Sequence, residues 1–245
     1  MTLPDLASQL VYGRLAWAVV TAAALFALLP LLRFAPLSRR ASAALLAGIA
    51  VLFALPGEAS PAWWLTLAFQ YPSGLLFGCC VLKLRQHWEG EAGEAPVMTP
   101  PLAAALAVTG LVLYLDAMGL LTQGYYYAGF GPTAAPLLAV LGAIGCAVAL
   151  VQGHARAQAG ALLTTILLFT LLRLPTGNLW DALLDPLLWG WAVVTLAVNA
   201  VRNRARVPVT TAPEPVAGLA AELQSLSSLS PLGATAMEHS STIKE

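Results

Sequence analysis

Residues 9–32 read QLVYGRLAWAVVTAAALFALLPLL, and this stretch decides the class of fold. Its single charge is Arg14, and Pro30 stands near its end as an expected kink. About 20 apolar residues are what a helix needs to cross the hydrocarbon of a bilayer, where no lipid-facing backbone group can go unpaired. The residues before it carry Asp5 and no basic residue, and the run outlasts the apolar region of a secretory signal. The first helix is therefore expected to stay in the mature protein.

Six further runs follow at 41–55, 62–82, 101–121, 133–152, 158–174 and 186–201. Together they predict an all-α, polytopic integral membrane helix bundle of about seven transmembrane helices over residues 1–202. The second, sixth and seventh runs are short and need accommodation by neighbours or by local thinning. Whether 41–55 and 158–174 cross fully stays open. The third contains Gln70-Tyr71-Pro72-Ser73-Gly74 and reads as kinked, discontinuous or re-entrant. After Arg202 the prolines and the Ser/Thr/Ala-rich composition predict a disordered cytoplasmic tail over 203–245, with a weak helix around 216–226.

Composition agrees with this class. The chain is 59% hydrophobic and 10% charged, with a mean hydropathy of +0.77, whereas a soluble domain carries about 25% charged residues. No dense basic face exists to release counterions from nucleic acid, which excludes that partner.

The basic residues orient the bundle. Arg33, Arg39 and Arg40 fall in the first gap, Lys83 and Arg85 in the third, Arg156 in the fifth, and Arg202, Arg204 and Arg206 after the last run. The positive-inside rule then places the N-terminus outside and the C-terminus in the cytoplasm. An alanine- and leucine-rich, arginine-favouring chain of this kind is expected in a bacterial cytoplasmic (inner) membrane. The gap after Arg85, with Glu89, Glu91 and Glu94 among glycines, reads as a flexible cytoplasmic loop. Aromatic residues such as Trp63, Trp64, Tyr125, Tyr126, Tyr127 and Trp180 mark the outer gaps, where amphipathic rings suit the headgroup layer. There, Asn178 is placed to cap a short helix, and Asp185-Pro186 reads as N-cap and first position of the seventh span.

Asp116 is the sharpest candidate for chemistry. A carboxylate inside a span should face the bundle interior or a wet cavity. It reads either as a structural ion pair with Arg173 or Arg14, or as a proton- or cation-responsive group in a pathway. Gln70 and Tyr71 belong to the broken third run, where transporters often build sites from freed carbonyls. Glu58, Asp181 and Asp185 form a set of outer-face acids, read as caps and solvated residues or as a cation-attracting vestibule. Gly142 and Gly145, with Ala139 and Ala143, read as close helix packing. Cys79, Cys80 and Cys146 read as small apolar packing residues.

Several chemistries are excluded by what is absent. His87, His154 and His239 lie outside the runs, no lysine sits in the interior of a run, and no serine elbow, metalloprotease helix or phosphate loop occurs. No cofactor and no metal are expected. The expected partners are the lipid bilayer and either another membrane protein or a second copy of the chain. Three functions fit: an accessory or structural subunit of a membrane assembly, a small transporter or channel using Asp116 and the broken third span, and a lipid-modifying enzyme. In the last, Arg173 would contact phosphate while Asp116, Asp181 and Asp185 serve as acids and bases.

Overall fold

The structure is a computed structural model that describes residues 4–35, 37–90 and 96–205. Among the described residues the regular elements are all helical. They are α1 (Leu6–Leu31), α2 (Arg39–Ala54), α3 (Pro61–Phe69), α4 (Gly74–Glu89), α5 (Pro100–Ala117), α6 (Tyr125–Ala128), α7 (Ala134–Gln152), α8 (Arg156–Leu172), α9 (Leu179–Leu183) and α10 (Pro186–Ala205). A 3-10 turn over Gly57–Ala59 leads into α3. The tail expected over 203–245, weak helix included, lies outside the described residues from 206 onward. So do Glu91 and Glu94. The chain divides after Val201, and of the second unit only the end of α10 is described.

Among the described residues three helices are long and apolar enough to cross a membrane: α1 with 26 residues, α5 with 18 and α7 with 19. The apolar α8 is shorter, at 17 residues. α2 and α4 have 16 residues each, which is about 24 Å at 1.5 Å per residue. The third run is more than kinked. α3 ends at Phe69 and α4 begins at Gly74, so it forms two separate helices.

Local chemistry fixes most of the helix starts. Asp5, Ser38, Ser60, Ser73 and Asn178 each cap a helix by accepting from a backbone amide in its first turn. Pro61 follows Ser60 at a position where its missing N–H has no partner to lose. Asp185 does the same for α10, accepting from the Leu188 amide at 2.8 Å. Pro30 sits one residue from the end of α1.

α4 holds the centre, packed between α1 and α8, while α7 pairs with α8 and α2 with α1. A Cβ at Gly74 would sit 2.8 Å from Thr165, and one at Gly78 2.9 Å from Ala161. This small-xxx-small pair lets α4 and α8 approach closely. Gly142 on α7 faces Ile166 in the same manner, and Ala139 and Ala143 pack into the same α7–α8 cluster, whereas Gly145 faces open space, so of the expected α7 stripe only Gly145 is left out. Leu75, Leu76, Cys79 and Cys80 of α4 bury against Ala103, Leu106 and Leu113 of α5 and Leu188 and Ala192 of α10. Cys146 is buried as well. Val97 and Met98 join the same cluster. The loop expected to be flexible from Arg85 is therefore helical through Glu89 and anchored again at Val97, because two apolar side chains gain burial against α4.

Candidate functional site

Four residues separate α3 from α4; the Gln70 amide and the Ser73 carbonyl still close helical bonds, with the Thr66 carbonyl and the Phe77 amide, and the carbonyls between need other partners. α1 supplies them. The Trp17 indole Nε1 donates to the Gln70 carbonyl at 3.1 Å, and the Tyr12 hydroxyl donates to the Pro72 carbonyl at 2.8 Å. Two of the carbonyls that the break was expected to free, those of Gln70 and Pro72, are thus occupied. Gln70 itself is held at φ 62°, ψ −147°, a region that side-chain-bearing residues rarely enter; such a backbone stores about 1–3 kcal/mol of strain.

The other side of the break is held by Asp185. Its Oδ2 accepts from the Ser73 amide at 2.6 Å while its Oδ1 caps α10. Asp185 is buried. Two helix N-termini meet at this carboxylate, and both macrodipoles favour its negative charge.

Asp116 ends up in a comparable role. Its Oδ1 accepts from the Gly124 amide at 3.0 Å and its Oδ2 from the Tyr126 amide at 2.8 Å, with the residue 4% exposed. It fastens the start of α6 to the end of α5. The expected ion pair with Arg173 or Arg14 is absent among the described residues. Arg173 caps α8 and lays its guanidinium over the Phe169 ring, 5.1 Å from the centroid. The reason is geometric: the chain after α5 turns back and offers amides to Asp116 before any cation reaches it.

α9 is tied to α6. Trp180 Nε1 donates to the Tyr125 carbonyl at 2.9 Å, and the Leu179 amide donates to the Gly129 carbonyl at 3.1 Å. A Cβ at Gly129 would overlap Asn178 Oδ1, so only glycine permits this approach. The contact brings Asp181 to Tyr126, whose hydroxyl donates to Oδ1 at 3.0 Å, and the Thr176 hydroxyl donates to Oδ2 at 2.6 Å. Burial raises the Asp181 pKa, and the two hydroxyl donors offset part of that rise. The Tyr126 phenol is pushed up to about 12, by burial first and then by the neighbouring carboxylate.

These elements enclose a cavity of about 360 Å³. Its polar lining is Gln70, Tyr71, Tyr114, Tyr126, Thr176, Asp181 and Asp185; Ala68, Phe69, Ala117, Leu184 and Pro186 complete the wall. Among the described residues two carboxylates face it and no basic residue does. The Tyr114 hydroxyl, on α5, is buried without a hydrogen-bond partner, while its ring meets Trp189 edge-on at 5.6 Å. Leaving a hydroxyl in that state costs about 1–3 kcal/mol.

Of the residues singled out in the sequence, the cavity gathers Gln70, Tyr71, Asp181 and Asp185, with Asp116 one step behind through Tyr126. It does not gather Arg14, Arg173 or Glu58. Glu58 lies exposed in the 3-10 turn, where its carbonyl accepts from Trp64 Nε1. Tyr114, Tyr126 and Thr176 were not singled out as site residues. Tyr126 and Asp181 lie 55 residues apart, and no local spacing announces such a pair. No group of three or more His, Cys, Asp or Glu side chains able to hold a metal occurs among the described residues. No protein-family model, curated protein or solved structure matches the chain.

Proposed function

We propose that this chain is a multi-pass protein of a bacterial cytoplasmic membrane that binds a small polar solute at the outer end of its bundle, in the manner of a small transporter. The observation that carries this reading is the convergence of Gln70, Tyr71, Asp181 and Asp185 on one cavity beside a broken helix. Sites of that construction suit solutes because short helices leave room for side chains to converge at the point of interruption. The orientation proposed is seven crossings with the N-terminus outside, α3 and α4 together forming the third.

The enzyme reading loses its phosphate contact, since Arg173 engages Phe169 instead of the cavity. The accessory-subunit reading draws on the exposed apolar face of α7, with Leu137, Val140, Leu141, Ile144 and Val151 outward. Lipid covers such a face equally well.

Two experiments test the proposal. Cysteine labelling from outside should modify the exposed positions 58 and 123 and spare 40, 86 and 158; the reverse sinks the orientation. Purified protein in nanodiscs should gain thermal stability from at least one member of a panel of small polar solutes, and Asp181→Asn should abolish the gain. A chain that is stabilised by none of them and leaves native membrane in stoichiometric complex with another protein is an accessory subunit instead.

A further inference from the structure

We infer that the cavity's ligand is a small organic monocation, a protonated or quaternary amine, with its charge facing Asp181 and Asp185 and its alkyl groups on Tyr71, Tyr114 and Tyr126; this deepens the solute-binding reading and rests on it.

The sign of the charge comes first. Among the described residues two carboxylates line the cavity and no Lys, Arg or His does. They are not equivalent. Both oxygens of Asp185 are taken by backbone amides at helix N-termini, which compensate its charge locally. Asp181 is held by two neutral hydroxyls on a helix of five residues. A carboxylate has about four acceptor sites, so Asp181 can accept from a protonated amine, and its charge attracts a quaternary one that has no N–H to donate. It is the group in this cavity whose charge is least compensated.

The kind of cation follows from the walls. Calcium takes about 6–8 oxygen ligands and magnesium needs a near-octahedral shell, yet no group of three metal-binding side chains exists among the described residues. The remaining surface is aromatic and aliphatic, with Phe69, Tyr71, Tyr114 and Tyr126 around it. Ring faces attract ammonium groups, and quaternary amines above all, because the methyls are apolar while the charge is diffuse. The buried, unpartnered Tyr114 hydroxyl adds a group able to accept from an N–H or a ligand hydroxyl. A cavity of about 360 Å³ lies at the low end of small-molecule pockets, so the ligand is small.

The test uses the full chain in nanodiscs and two probes of nearly equal shape, choline and its uncharged carbon isostere 3,3-dimethylbutan-1-ol, by isothermal titration. Choline should bind at least about tenfold more tightly than the alcohol, since a desolvated charge on aromatic faces and a carboxylate is worth that much. Asp181→Asn should weaken choline by about tenfold or more, and Arg173→Gln, outside the cavity, should leave it unchanged. Tyr71→Leu provides a second reading of the site that leaves the Asp181 network intact, and it too should weaken choline. Equal binding of the two probes overturns the cation while leaving solute binding in place. Displacement of choline by equimolar potassium overturns the organic ligand in favour of an inorganic ion. Binding of neither probe, in a protein that no polar solute stabilises, removes both this inference and the reading beneath it.

Discussion

Asp185 accepts the Ser73 amide at 2.6 Å across 112 residues of sequence. The same carboxylate caps α10, so the start of α4 and the start of α10 are fixed to one point. Since Ser73 in turn caps α4 through its own hydroxyl, the position of the whole central helix depends on this contact. The cavity exists because α4 begins there and not four residues earlier.

Asp185→Ala should destabilise the protein by about 3 kcal/mol: a buried amide is left unsatisfied and a helix loses its cap. Asp185→Asn keeps one acceptor oxygen and should lose roughly half as much. Unfolding in detergent with increasing denaturant measures both. An alanine variant within about 0.5 kcal/mol of wild type would remove Asp185 from this structural role.

Asp116 and Arg173 should behave as independent residues. Asp116→Ala strands the Gly124 and Tyr126 amides and should cost about 2 kcal/mol. Arg173→Gln gives up a cation–π contact worth about 0.5–1 kcal/mol. The double variant should equal the sum within about 0.5 kcal/mol. A coupling energy well above that would restore the ion pair that their shared end of the bundle suggested.

What the sequence disclosed and what it hid divide along a physical line. α1, α5 and α7 could be read from composition, because only long apolar helices satisfy their backbones in lipid. Asn178 and Asp185 could be read as caps, because a cap acts within two or three residues of itself. The break at Gln70–Ser73 could be read from Pro72 and Gly74. The residues that close it could not: nothing in the spacing of Tyr12 and Trp17 on α1 points to a chain 53 or 60 residues away. Gly142 and Gly145 were legible as close packing, and Gly142 does meet a neighbouring helix while Gly145 does not; the approach of Gly74 and Gly78 to α8 appears only in the structure. Asp116 misled because charge invites a countercharge, while the amides that hold it come from a turn that composition does not reveal.

Gln70 offers a sign test of strain. Gln70→Gly should stabilise the protein by about 1 kcal/mol, since glycine enters φ 62°, ψ −147° without a Cβ penalty, less its own gain of unfolded-state entropy. Gln70→Ala keeps the strain and removes only the side chain, so it should be neutral or slightly destabilising. Thermal unfolding of the pair decides the matter. If alanine proves the more stable of the two, the backbone at this position is not strained.

Asp181 should impose a pH dependence of definite sign. Burial holds its folded pKa above the ordinary 3.8. Between those two values the native state binds more protons than the unfolded one, and stability falls as pH rises. The penalty is absent below 3.8, grows through the folded pKa and is complete above it. Asp181→Asn cannot ionise and escapes this penalty. The stability of the variant relative to wild type should therefore rise from about pH 4 upward and then level off. Unfolding midpoints across that range measure the difference directly. A difference that stays flat would mean that Asp181 titrates as it does in water, and one that shrinks with rising pH would mean that a cation already holds its charge in the empty protein.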